Sequence, residues 1–93
     1  MDNDIIAAKI LFALARKRKW GKSYTAYENM LRQFKTASLG KTGMKHAKNL
    51  ADDLVKQGFI LKKPTNYGLH VYLNPKRAQE IKKTIHDKIG FSF

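Results

Sequence analysis

The chain has no cysteine, which excludes disulfides, a thiolate zinc site and a thiol nucleophile. Acidic residues are scarce: seven Asp and Glu stand against 19 Lys and Arg, leaving a formal charge of +12 on 93 residues. No two carboxylates fall where sequence can nominate them as a general acid and base. The shortage also argues against a merely solubilising Lys-rich surface, a style that raises Glu together with Lys. No run approaches the roughly 20 apolar residues that span a bilayer. Asp2 and Asp4 stand where a secretory signal would carry basic residues, so an intracellular protein without membrane contact is expected. There is no internal repeat, low-complexity stretch or long linker, and the length suits one small domain.

What the chain does have is positive charge, which attracts polyanions, and nucleic acid is the leading partner class. Residues 5–15, IIAAKILFALA, are apolar at every position but Lys9, so the first helix, about 3–19, needs cover on more than one side. Two readings stay open: a subunit interface, or a central core helix. Arg16 to Lys19 complement the negative end of that helix's macrodipole, and Trp20, Gly21 and Lys22 break it. A second helix, about 24–35, has Thr25 and Glu28 as a capping box. Tyr24, Tyr27, Met30, Leu31 and Phe34 fall at helical spacing on its core face.

A third helix, about 42–57, buries Met44, Ala47, Leu50, Ala51, Leu54 and Val55, with Gly58 as its left-handed cap. After it the period changes to that of a hairpin, about 59–73, with turn residues from Pro64 to Gly68. Asn74 and Pro75 cap a last helix, about 75–90, along which Ala78, Ile81, Ile85 and Ile89 form a stripe narrow enough for a helix-pairing seam.

Two phosphate-loop look-alikes fail on spacing. Gly40-Lys41-Thr42 has Lys35 where the first glycine belongs, and Gly21-Lys22-Ser23 has Arg16 there. His46, His70 and His86 lie in three different elements, without metal-ligand spacing. No catalytic residue, cofactor or small-molecule ligand is nominated, and the chain reads as a binding protein and not an enzyme.

Two helices, a tight turn, a third helix, a hairpin with a basic tip and a closing helix resemble the winged helix-turn-helix family over essentially the whole chain. The fold class expected is α+β, mainly α, with a three-helix core, a β-hairpin wing and a C-terminal dimerisation helix. The closing helix is similar to the PadR-like branch. Length, charge and the long last helix also resemble the AspA-type proteins that bind the partition site of archaeal plasmids. The winged-helix resemblance implies a third helix that enters the major groove of duplex DNA, with the wing on the adjacent backbone. The partition resemblance implies spreading on DNA and recruitment of a ParB-like adaptor, in a nucleoid- or plasmid-associated protein.

Within that frame Lys45, His46 and Asn49 are the candidate base readers, because Lys donates to guanine, Asn pairs with adenine and His donates to an acceptor. Ser38, Lys41, Thr42 and Lys48 suit phosphate contacts at the helix start, and Lys62, Lys63 and Tyr67 suit backbone contacts from the wing. Ile5, Ile6, Leu11 and Phe12 of the first helix, with Ile81, Ile85 and Ile89 of the last, are expected at a homodimer interface that Phe91 and Phe93 would extend. Transcriptional repression is the alternative to partition-site recognition. An RNA-binding domain and a protein-docking winged helix are rivals of another kind.

Overall fold

The computed structural model describes residues 3–21, 23–35 and 40–92, with side chains described for all of these except 3, 33–35 and 40–44. In chain order they form α1 (Asn3–Arg16), β1 (Thr25–Ala26), α2 (Tyr27–Lys35), α3 (Gly40–Lys56), β2 (Ile60–Thr65), β3 (Gly68–Leu73), a 3-10 turn (Pro75–Arg77) and α4 (Ala78–Ile89). The architecture is α+β and mainly helical, with one three-stranded antiparallel sheet in the order β1-β3-β2. None of the described helices is long and apolar enough to cross a membrane.

Of the two readings of the first helix, the structure shows the central one. Ile6, Ala8, Ile10, Leu11, Ala13, Leu14 and Ala15 are all buried, covered by α4, α3, α2 and β3 together. The helix stops at Arg16, three residues short of expectation. Arg18 takes a left-handed φ of 56°, and the amides of Arg18 and Lys19 donate back to Ala15 O and Leu14 O, each at 3.0 Å. That is the Schellman closure, here with arginine at the position glycine usually fills.

The apolar stripe of α4 is a helix-pairing seam, but it pairs within the chain. Ile81 and Ile85 are fully buried in the same cluster as Ile6 and Leu11. These four therefore correct the expectation of an interface with a second subunit: the chain's own core already covers them. Ile5, Phe12 and Ile89 keep part of their surface exposed.

Helix α2 starts three residues later than expected. Thr25 and Ala26 pair with Val71 and His70 along the open edge of β3, so Thr25 spends its backbone on a ladder and forms no capping box. Tyr24 is pushed out of the core by the same pairing: it is 37% exposed and meets His70 edge-on at 5.0 Å. Tyr27, Met30 and Leu31 do face the core. Helix α3 begins at Gly40 and packs through Ala47, Ala51 and Leu54, and the small side chains of the two alanines let it lie close against α1. Gly58, at φ 82°, closes it in the expected way.

Asn74 joins three elements. Its amide donates to Phe59 O at 3.0 Å. Its side chain donates to Gly58 O at 3.0 Å and accepts from the Lys76 amide at 3.0 Å. Pro75 follows at the first turn position, as the sequence suggested, although that turn is 3-10 and α4 proper starts at Ala78.

Truncating Ile81 or Ile85 to alanine removes a fully buried side chain and lowers unfolding stability by about 2–5 kcal/mol. Because the seam lies within one chain, the loss in urea denaturation should be the same at every protein concentration. A loss that shrinks as protein is concentrated would return these residues to a subunit interface.

Candidate nucleic-acid interface

Helix α3 has a buried seam and, directly opposite, a polar face. With Ala47, Ala51 and Leu54 inward, the helical period turns Lys45, Asn49 and Lys56 straight out to solvent, and all three are exposed. Lys48, also exposed, lies on the flank that faces the hairpin. His46 falls on the other flank and is half-buried. The structure thus brings Lys45, Asn49 and Lys48 onto one continuous surface, with His46 half-buried on its opposite border, three residues before Asn49.

The wing sorts its residues by the two-residue alternation of a strand. Lys62 is opposite Val71 in the ladder and Lys63 opposite His70, so the two lysines point to different faces of the hairpin. Lys62 turns toward α2 and α3, with its ammonium 6.0 Å from the Tyr27 ring centre. Lys63 lies 4.4 Å above the Tyr24 ring on the far side. At the tip, Thr65 Oγ1 accepts from the Tyr67 amide at 3.1 Å and donates to Gly68 O at 2.9 Å. This hydroxyl locks a two-residue turn and leaves Tyr67 95% exposed.

Between α3, the start of α2 and the wing lies a cleft of about 470 Å³. Lys48 and Asp52 line it from the helix, Lys62 and Tyr67 from the wing, and Tyr27 and Glu28 from α2. Two cations and two carboxylates therefore share it, and its lining is balanced in charge. Tyr27 braces the floor: its hydroxyl donates to Asp52 Oδ1 at 2.9 Å. Burial, then the hydrogen bond to Asp52 and the charge of that carboxylate, push the Tyr27 phenol well above its ordinary range. Asp52 is not among the residues nominated from the sequence. Its partner lies 25 residues away, and nothing local in the sequence announces the pair.

Of the remaining expected contacts, Ser38 lies outside the described residues. Lys41 and Thr42 belong to the first turns of α3, and their side chains lie outside the description. Among the described residues no three His, Asp or Glu gather as a metal site. Compared with known proteins, the chain matches no family model, no curated protein and no solved structure.

The Tyr27–Asp52 brace has a pH signature. A phenol whose pKa is raised in the folded state contributes stability below the unfolded value of about 10 and loses it as pH climbs past that point. Tyr27→Phe should cost about 1 kcal/mol at neutral pH and make the alkaline fall in stability shallower than in the unmodified protein. Denaturation midpoints measured across that range check this, and parallel curves would show that Tyr27 is not the group responsible.

Proposed function

We propose that the chain is a winged helix-turn-helix protein that binds specific sites in double-stranded DNA, with α3 in the major groove and the β2–β3 hairpin as the wing. The observation that carries this reading is a juxtaposition. Lys45, Asn49 and Lys48 share one exposed surface of α3, and Lys62 and Tyr67 stand across a single cleft from Lys48. The element order supports it too, since a short strand, two helices and a hairpin follow α1 and close on it as one sheet and one core.

Under this reading Lys45 and Asn49 read base edges, one by donating to guanine and the other by pairing with adenine. Lys48 and Lys62 hold phosphates on either side of the cleft. Tyr67, a broad ring with a hydroxyl at its end, meets sugar and phosphate beyond the groove. His46, half-buried and three residues before Asn49, stands at the edge of the reading set. The balanced cleft floor repels phosphate less than bare carboxylates would, because the Tyr27 hydroxyl shares the Asp52 charge.

A homodimer fits through what remains exposed along one face of α1 and at the end of α4: Ile5, Phe12 and Ile89, with Phe91 set against Phe12 at 4.7 Å between ring centres. A two-fold dimer implies a palindromic target with half-sites about 34–36 Å apart. The resemblance to partition-site-binding proteins makes site recognition in DNA segregation, with a ParB-like adaptor as partner, the role we favour.

Footprinting on the DNA around the protein's own gene tests both levels. A short symmetric footprint supports site recognition, and one that lengthens with protein concentration supports partition over repression. Preference for structured RNA would refute the duplex reading. Lys45→Ala and Asn49→Ala should each cost about 1–3 kcal/mol of specific affinity and relax sequence choice at one position. Lys48→Ala and Lys62→Ala should weaken every duplex alike and flatten the salt dependence, which competition titrations at two ionic strengths resolve.

A further inference from the structure

The cleft and the exposed face of α3 leave a second concentration of charge unused. Helix α1 ends at Arg16, and the pull of its macrodipole on a cation falls off beyond the last turn. The chain nevertheless continues with Lys17, Arg18 and Lys19 before Trp20. Arg16, Lys17 and Arg18 are exposed, and Lys82 of α4 joins them with its ammonium 5.9 Å from the Trp20 ring centre.

Two observations separate this group from an ordinary solvated run. The loop is built and held. The Leu73 amide donates to Lys19 O at 2.8 Å, Trp20 bridges to Leu73, and Gly21 lies so close to Pro75 that a Cβ added there would come within 3.3 Å of Pro75 Cγ. Arg18 also sits at φ 56°, a region that non-glycine residues seldom occupy. At the equivalent place after α3 the chain uses Gly58, so a long cation is held where glycine would strain the backbone less. None of these four cations is in an ion pair among the described residues.

The patch also lies at the wrong end of the molecule for the DNA already placed. Leu73 is the root of the hairpin, five residues from Gly68, or roughly 17 Å from the wing tip at the rise of a strand. The α3 exit at Lys56, which leads into Phe59 and the same root, is roughly 16 Å along the helix from Lys45. A duplex seated on Lys45, Asn49 and Tyr67 therefore leaves the root free.

We propose that Arg16, Lys17, Arg18 and Lys82, grouped around Trp20, form a second phosphate-binding surface that holds another segment of duplex DNA, so that one chain bridges two duplexes. The inference rests on the reading that α3 and the wing hold the first. Contact is to phosphates, so the second segment is bound without regard to sequence.

The test immobilises a duplex carrying the footprinted site, loads it with the full chain, and measures capture of a second, labelled duplex of unrelated sequence. The unmodified protein should capture it. Arg16→Ala, Lys17→Ala and Arg18→Gly combined should reduce capture at least tenfold while leaving binding to the immobilised site within about twofold. Lys9→Ala, Lys83→Ala and Lys88→Ala combined remove the same charge elsewhere and should retain capture. Because Arg18→Gly relieves a left-handed residue, that substitution alone should raise the thermal midpoint, which confirms that the loop is still folded. Equal capture by the triple loop variant and the unmodified protein would overturn the proposal and assign bridging to self-association. Equal loss in the two triple variants would overturn it in favour of bulk charge. If the unmodified protein binds the immobilised site but captures nothing, this inference alone fails; if it does not bind that site, the duplex reading fails with it.

Discussion

Helix α1 cannot be wet. With one lysine in an eleven-residue apolar run, most of its circumference must be removed from water, and the chain does so by wrapping. Helices α2, α3 and α4 and strand β3 all lie against it. The ranking of the other elements follows from that demand. The small residues of α3 and the isoleucines of α4 serve as cover, and each covering element has only its outer face left for other work.

That division explains why the candidate interface sits where it does. Ala47 and Ala51 commit α3 to α1 along one seam, so rotation about its own axis is fixed and Lys45 and Asn49 have no orientation available except outward. The Tyr27 hydroxyl ties α3 to α2 at Asp52, fixing the spacing of the two helices at the cleft. On the far wall Lys62 is oriented by its ladder partner Val71, a core residue. The polar geometry is thus inherited from apolar packing, which is why the side chains that could meet DNA need few hydrogen bonds among themselves.

How much of this could be read from the chain depends on how far apart the interacting residues lie. The helix-ending role of Gly58 and the turn-starting role of Asn74 were legible, because a cap is a contact over a few residues. The hairpin and its tip were legible from the change of period and the cluster of Pro, Asn and Gly. The two-residue strand at Thr25 was not, since its partner is some 45 residues on, and with it went the placement of Tyr24. The stripe of α4 was correctly seen as a pairing seam, but periodicity says that a helix needs a partner and not whether the partner belongs to the same chain. For α1, where sequence left a subunit interface and a central core helix both open, the burial of Ile6 and Leu11 shows the second. In the candidate interface, Lys45 and Asn49 were legible from helical spacing. The partial burial of His46 and the parting of Lys62 from Lys63 require knowing which side of each element is covered.

The knot at Asn74 determines how the hairpin can move. Its backbone grips the exit of α3, and its side chain grips both the Gly58 carbonyl and the Lys76 amide of the next turn. The strands are therefore clamped at their base like a beam set in a wall, and only their outer length can flex. Deflection grows with distance from the clamp, so Tyr67 sweeps the widest arc while Leu73 stays still. A fold of this kind lets its fingertip adapt to an uneven surface without loosening the knuckle beneath it.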